Sequence, residues 1–72
     1  MPETIAFIGL GQMGGSLALS LHEKSPDCKL IAYSPFPEEK KLLEESGIFI
    51  QVSDNAPEIL KQADFVFLSQ PI

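Results

Sequence analysis

The stretch TIAFIGLGQMGGSLALSL, residues 4–21, contains four of the five glycines of this 72-residue chain. It begins with an apolar run of strand length at residues 5–8, and after the glycines its apolar residues recur at helical spacing. Glycine is favoured where the backbone takes a positive φ or approaches another group too closely for a Cβ. The stretch therefore predicts a strand and a helix joined by a tight turn whose backbone lies close to some other group.

Short apolar runs and helical patterns alternate along the rest of the chain. The apolar runs predict strands at residues 5–8, 29–33, 48–52 and 64–69. The first helix is predicted over residues 12–23. The second begins at Pro37, a residue suited to the first helical position, and ends at Gly47. The third begins at Asn55, which with Glu58 resembles a capping box.

This order of elements predicts an α/β fold. Four strands linked by three helices imply a doubly wound parallel sheet with the strand order 3-2-1-4. The first two helices are expected on one face of the sheet and the third on the other. The fourth strand, rich in apolar residues, would then form an edge that invites pairing with further polypeptide.

The glycine spacing gives this fold a chemical meaning. Gly9, Gly11 and Gly14 form a G-x-G-x-x-G pattern between the first strand and the first helix, which is typical of the Rossmann dinucleotide-binding turn. In that turn Gly9 allows the tight bend, Gly11 allows contact with a pyrophosphate, and Gly14 allows close helix packing. The helix N-terminus then faces the phosphates. The alternative is that the glycines serve only the turn and no ligand.

The tip of the second strand bears on the choice of dinucleotide. An acidic residue about 20 positions beyond the last of these glycines normally binds the ribose 2′-hydroxyl of NAD, and Ser34 stands there instead. A serine hydroxyl can donate to a 2′-phosphate, with Lys40 or Lys41 adding charge, so NADP is favoured and NAD is the second choice. Two alternatives stay open: Glu38 or Glu39 reaches a 2′-hydroxyl, or Ser34 is only a turn residue.

The charge balance argues against several other classes of partner. Ten acidic residues stand against five lysines and no arginine, giving a net charge of -5, which disfavours nucleic-acid and membrane-surface binding. No run is long and apolar enough to cross a membrane, and the start of the chain is acidic, unlike a secretory signal. The single cysteine, Cys28, fits a reducing compartment, so we expect a cytoplasmic protein. We assign no metal ligand, and His22 is expected to be a solvated residue near a helix end.

The residues also resemble a known family. IAFIGLGQMGGSLALSL, residues 5–21, resembles the opening of prephenate and arogenate dehydrogenases, whose glycine pattern commonly continues as Gly15-Ser16-Leu17-Ala18 does here. The end of the chain, ADFVFLSQPI, is similar to their fourth strand and the loop after it. The shorter GLGQMG is equally similar to 3-hydroxyisobutyrate dehydrogenase, 6-phosphogluconate dehydrogenase and pyrroline-5-carboxylate reductase, which remain alternatives.

The resemblance implies a reaction and a set of binding residues. The reaction is NAD(P)-dependent oxidative decarboxylation of a cyclohexadienyl substrate in tyrosine biosynthesis. Ser34 would lie by the adenosine ribose. The pyrophosphate loop would comprise Gly9, Leu10, Gly11, Gln12, Met13 and Gly14. The path toward the nicotinamide would be lined by Ser69, Gln70 and Pro71.

The resemblance also implies that the chain is incomplete as an enzyme. It covers the first half of the family's nucleotide-binding domain, whereas the family's catalytic histidine and substrate-binding arginine lie further along the chain. We therefore expect residues 1–72 to form one partial dinucleotide-binding domain, with no substrate domain and no catalytic residue. Its expected partner is a second copy or a missing C-terminal domain. The alternatives from other classes are a non-catalytic nucleotide-binding module and a remnant that binds nothing.

Overall fold

A computed structural model describes residues 3–8 and 12–68, with residues 12–16 described by their backbone. Four strands and three helices alternate along this part of the chain. The strands are β1 (Thr4–Ile8), β2 (Lys29–Tyr33), β3 (Gln51–Ser53) and β4 (Phe65–Leu68). The helices are α1 (Gln12–Lys24), α2 (Pro37–Glu45) and α3 (Ala56–Gln62).

The strands form one parallel sheet in the order β3-β2-β1-β4. The central strand β1 ends at Ile8, which is in register with Tyr33 of β2 on one side and Leu68 of β4 on the other. Tyr33 is in turn in register with Ser53 of β3. The predicted α/β class and strand order are confirmed, and the last residues of all four strands lie along the same edge of the sheet.

The helices cover the two faces of the sheet as predicted. On one face, Phe7 is buried and its ring packs against Phe49 and Phe67, with centroid separations of 5.8 and 5.5 Å. Residues of α1 and α2, including Ala18 and Leu43, complete this cluster. On the other face, α3 buries Ile59 against residues of β1 and β2, namely Ala6, Ile8 and Ile31.

The third strand begins later than its apolar run predicts. Residues 48–52 were expected to form it, but β3 covers Gln51–Ser53. Ile48 and Phe49 both pack into the cluster around Phe7, and two successive residues of a strand would point to opposite faces. Pairing with β2 starts only where the Ile50 N–H donates to the Leu30 carbonyl at 2.8 Å. The apolar run therefore serves mainly as core packing ahead of the strand.

The two later helices end and begin with the predicted residues. Gly47 follows α2 with φ of 75°, a left-handed conformation that favours glycine at a helix C-terminus. The Asn55 side chain caps α3 by accepting from the Glu58 N–H at 3.2 Å. The capping box is only half formed, because the Asn55 N–H donates to the Ser53 hydroxyl at 3.0 Å instead of to Glu58.

The strand β4 leaves apolar side chains uncovered. Phe65, Val66 and Leu68 are exposed, whereas Phe67 is half-buried. Val66 and Leu68 are in register with Ala6 and Ile8, so they lie on the face of the sheet that α3 covers, but α3 packs over β1, β2 and β3. Within residues 3–8 and 12–68, no helix combines the length and apolarity needed to cross a membrane.

Candidate functional site

The carboxyl-terminal edge of the sheet, beside β1, is the candidate site. In open α/β sheets ligands bind beyond the carboxyl ends of the strands, at the point where the strand order reverses. Here that point lies between β1 and β4. The chain passes from the last residue of β1 to the first residue of α1 across positions 9–11, so α1 begins at this edge.

Half of the predicted phosphate loop, Gly9, Leu10 and Gly11, lies outside the described residues. The predicted nicotinamide-side residues Ser69, Gln70 and Pro71 also lie outside them. The backbone of Gln12, Met13 and Gly14 forms the first turn of α1. The described part contains the predicted strand, which ends at Ile8, and the predicted helix, which begins at Gln12.

The N-termini of the three helices differ in charge. The first turn of α1 contains no acidic residue, whereas α2 begins with Glu38 and Glu39 and α3 with Glu58. A helix N-terminus carries a partial positive charge that an anion stabilises. In α2 and α3 the protein's own carboxylates fulfil this role. The first turn of the 13-residue α1 has no such residue, which suits the binding of a phosphate group there.

The tip of β2 holds a hydrogen-bonded pair, Ser34 and Glu39. The Ser34 side chain is fully buried, and its hydroxyl donates to Glu39 Oε1 at 2.7 Å. The Ser34 hydroxyl oxygen also accepts a hydrogen bond from the Phe36 N–H at 3.3 Å. The Ser34 N–H donates to the carbonyl of Ser53 at 2.9 Å, which ties this tip to the neighbouring strand.

This pair changes the role expected of Ser34. The sequence predicts a hydroxyl that donates to a cofactor phosphate, but in the structure its proton is directed at the Glu39 carboxylate. Both alternatives agree with this arrangement: Glu39 lies at the strand tip, and the Ser34 hydroxyl accepts from the Phe36 N–H as a turn residue does. The signal in the sequence is Pro37, which starts α2 and so sets Glu39 in its first turn.

The two lysines considered for cofactor binding lie further along α2. Lys40 Nζ forms an ion pair with Glu44 Oε2 at 3.3 Å, one helical turn away. Lys41 is exposed. Of the two, Lys40 therefore has an acidic partner within its own helix.

A second Ser–Glu pair occupies the tip of β3. The Ser53 side chain is 8% exposed, and its hydroxyl lies 3.5 Å from Glu58 Oε2, a long separation for a hydrogen bond between oxygens. Glu58 is exposed and accepts a shorter bond from Gln51 Nε2 at 2.9 Å. This pair lies one strand further from the end of β1.

The remaining candidates for chemistry lie away from this edge. His22 is exposed in the last turn of α1, as expected from the sequence. Cys28 is a free thiol, half-buried against the cluster around Phe7. In residues 3–8 and 12–68, no three histidine, cysteine, aspartate or glutamate side chains come together in a way that would hold a metal ion.

Residues 4–72 match a family model described as "NADP oxidoreductase coenzyme F420-dependent". Together with the fold and the glycine pattern, this match defines the class of protein: a Rossmann-type NAD(P)-binding module of an oxidoreductase. The chain belongs to this family.

Individual relatives come from several dehydrogenases. A 2-hydroxyacid dehydrogenase A from Aspergillus oryzae is 34% identical over 70 residues, which is 97% of this chain and 18% of that protein. Prephenate dehydrogenase from A. aeolicus, solved with hydroxyphenyl propionate and NAD+, superposes with a TM-score of 0.85 at 29% identity, covering 99% of this chain and 25% of that one. Scyllo-inositol dehydrogenase from Lactobacillus casei, solved with NAD(H) and scyllo-inositol, superposes with a TM-score of 0.75 at 26% identity. The match covers 99% of this chain and 22% of that one. This chain thus spans a quarter of their length or less.

Proposed function

We propose that the chain binds the pyrophosphate of a nicotinamide dinucleotide through the glycine segment that precedes α1. The proposal assigns this contact to Gly9, Gly11 and Gly14, with backbone N–H groups from Leu10, Gln12 and Met13. The observation that carries it is the start of α1 directly after the central strand β1, with no acidic residue in its first turn. Ser69, Gln70 and Pro71, which follow β4, would line the path toward the nicotinamide.

The particular reaction proposed is that of prephenate and arogenate dehydrogenases. It is supported by the Gly15-Ser16-Leu17-Ala18 extension and by the superposition on prephenate dehydrogenase. A second candidate is oxidation or reduction of a different hydroxy compound, which the 34% identity to a 2-hydroxyacid dehydrogenase favours. Of the two cofactors, the sequence favours NADP from Ser34, with Lys40 or Lys41 adding charge, and the Ser34–Glu39 bond bears directly on that choice.

The role proposed for this chain is to bind and orient the cofactor. When bound, the nicotinamide ring accepts or supplies the hydride. The described residues contribute an uncompensated helix N-terminus for phosphate and the Ser34–Glu39 pair beside the ribose position. We propose that residues 1–72 are part of a larger dinucleotide-binding domain, and that the catalytic and substrate-binding groups come from additional polypeptide.

Calorimetric titration of the folded chain with NADH and NADPH tests the proposed binding site. Gly11→Asp adds a side chain and a negative charge where the pyrophosphate would approach, so binding should be lost. Asn55→Asp is the matched control, because it adds one negative charge at the N-terminus of α3 and keeps a capping oxygen. Circular dichroism verifies the fold of both variants. Equal affinity in Gly11→Asp and in the unmodified chain would contradict the proposal.

We further propose that the exposed edge at β4 is covered by a second copy or by further polypeptide. Leu68 is 69% exposed there, and Leu42 on α2 is exposed to the same degree, 68%. If a second copy binds at β4, light scattering should give a dimer mass that Leu68→Lys reduces and Leu42→Lys does not. A monomer mass at all concentrations would contradict the homodimer and leave further polypeptide as the proposed partner.

A further inference from the structure

We infer that Glu39, oriented by Ser34, makes this module select the 2′-hydroxyl of NAD(H) and reject the 2′-phosphate of NADP(H). The inference rests on the proposed dinucleotide binding and identifies its cofactor. It reverses the preference for NADP expected from the sequence, because that expectation required a free Ser34 hydroxyl, with Lys40 or Lys41 adding charge.

The position of the pair fits contact with the ribose. Ser34 directly follows Tyr33, the register partner of Ile8 at the end of β1. The glycine segment follows Ile8 in the sequence, so Ser34 and the glycine segment directly follow the last residues of two adjacent strands. In sheets of this type an acidic group at the tip of the second strand binds the ribose hydroxyls. Here the acidic group comes from the first turn of α2 and not from the strand tip itself.

The Ser34 hydrogen bond orients Glu39 without exhausting its capacity as an acceptor. A carboxylate has two oxygens with about four acceptor positions, and the contact at 2.7 Å involves Oε1. Glu39 is half-buried, so part of its surface is exposed to solvent. A positioned carboxylate can accept from ribose hydroxyls without first being ordered by the ligand.

The charges around the pair oppose a 2′-phosphate. A phosphate monoester carries a charge of about −1.5 to −2 at neutral pH and would lie against the Glu39 carboxylate. Glu38 adds a second negative charge in the same helical turn. The Lys40 ammonium, the nearest cation along the chain, pairs with Glu44. The chain contains no arginine to provide the bidentate contact that phosphates favour.

The test compares dissociation constants for NADH and NADPH in the folded chain, measured by calorimetry or by NMR titration of amide shifts. We expect the dissociation constant of NADPH to exceed that of NADH by a ratio of about ten or more. Glu39→Gln keeps the size of the side chain and removes its charge, so the ratio should fall by about tenfold. Glu58→Gln removes the matching charge at the tip of β3 and should leave the ratio unchanged.

Ser34 is tested as a positioning residue with its own control. Ser34→Ala removes the hydrogen bond that holds Glu39 and should lower the ratio of the NADPH to the NADH dissociation constant. Ser53→Ala should leave this ratio unchanged. A purely structural role for Ser34 would lower stability without changing the ratio. Equal binding of the two cofactors, or tighter binding of NADPH, would overturn this inference and leave the proposed binding function intact. A folded chain that binds neither cofactor would overturn both.

Discussion

The tips of β2 and β3 each contain a serine and a glutamate, but the distance between the two side chains differs. A buried serine follows β2, and another is the last residue of β3. In each case a glutamate in the first turn of the next helix lies five residues after the serine. In both, the serine oxygen accepts from the N–H two residues later. The hydroxyl-to-carboxylate distance is 2.7 Å for Ser34 and Glu39 but 3.5 Å for Ser53 and Glu58.

The difference follows from the location of each tip. Ser34 lies between the ends of β1 and β3 and is completely buried, while Ser53 is on the edge strand. Glu58 also accepts from Gln51 and is exposed, whereas Glu39 is half-buried. A motif repeated in the sequence thus becomes a close, oriented pair only where strands flank it on both sides.

The largest expected effect comes from placing an aspartate at each serine. Ser34→Asp buries a second carboxylate against Glu39, so the free energy of unfolding should fall by roughly 2–4 kcal/mol. Ser53→Asp lies against an exposed glutamate and should cost about 1 kcal/mol. Urea denaturation measures both. Equal losses would show that the two tips do not differ in burial as described.

Removing each carboxylate is the next test of the comparison. Glu39→Ala leaves the buried Ser34 hydroxyl without its 2.7 Å acceptor and should lower stability by about 1–2 kcal/mol. Glu58→Ala breaks a long contact and an exposed bond to Gln51, so we expect about 0.5 kcal/mol or less. Both variants also remove one favourable charge from a helix N-terminus, so that contribution cancels in the comparison. Thermal unfolding followed by circular dichroism measures the stability of both variants. A larger loss of stability in Glu58→Ala than in Glu39→Ala would contradict the expectation.

The helix caps at the two tips should respond in opposite directions. Asn55 caps α3 with its side chain, so Asn55→Ala should cost about 1 kcal/mol. Phe36 occupies the same position before α2, makes no side-chain cap and is 65% exposed. Phe36→Asn should therefore stabilise the chain by about 0.5 kcal/mol or more. The midpoints of urea unfolding compare the two variants, and destabilisation by Phe36→Asn would contradict the assignment of an uncapped α2.

The smallest expected effect concerns the ion pair on α2. Lys40→Gln removes the contact with Glu44 and should change stability by about 0.3–0.5 kcal/mol, with the difference shrinking in 1 M salt. Lys41→Gln, at the adjacent exposed position, is the control for the change in net charge. A loss in Lys40→Gln that persists in high salt would indicate a packing role for the lysine stem instead.

The Ser34–Glu39 pair shows where prediction from the sequence reached its limit. Position 34 was correctly placed at the tip of the second strand, and Glu39 was considered as a ribose ligand. The bond between them was not predicted, because it depends on the turn of residues 34–37 and on the Ser53 carbonyl that receives the Ser34 N–H. The start of β3 was mispredicted for a similar reason, since Ile48 and Phe49 are apolar for packing on Phe7 and not for pairing.

The sequence by itself determined the class of fold, the strand order and the position of the glycine segment. These features follow from local patterns, namely apolar runs of strand length, helical spacing and the glycine and proline signals at helix ends. Only the tertiary structure decided which serine is tightly paired with a glutamate, where β3 begins and which side chains of β4 are left exposed. The physical reason is that each of these depends on contacts between residues of different elements, whose distances are set by the packing of the whole sheet.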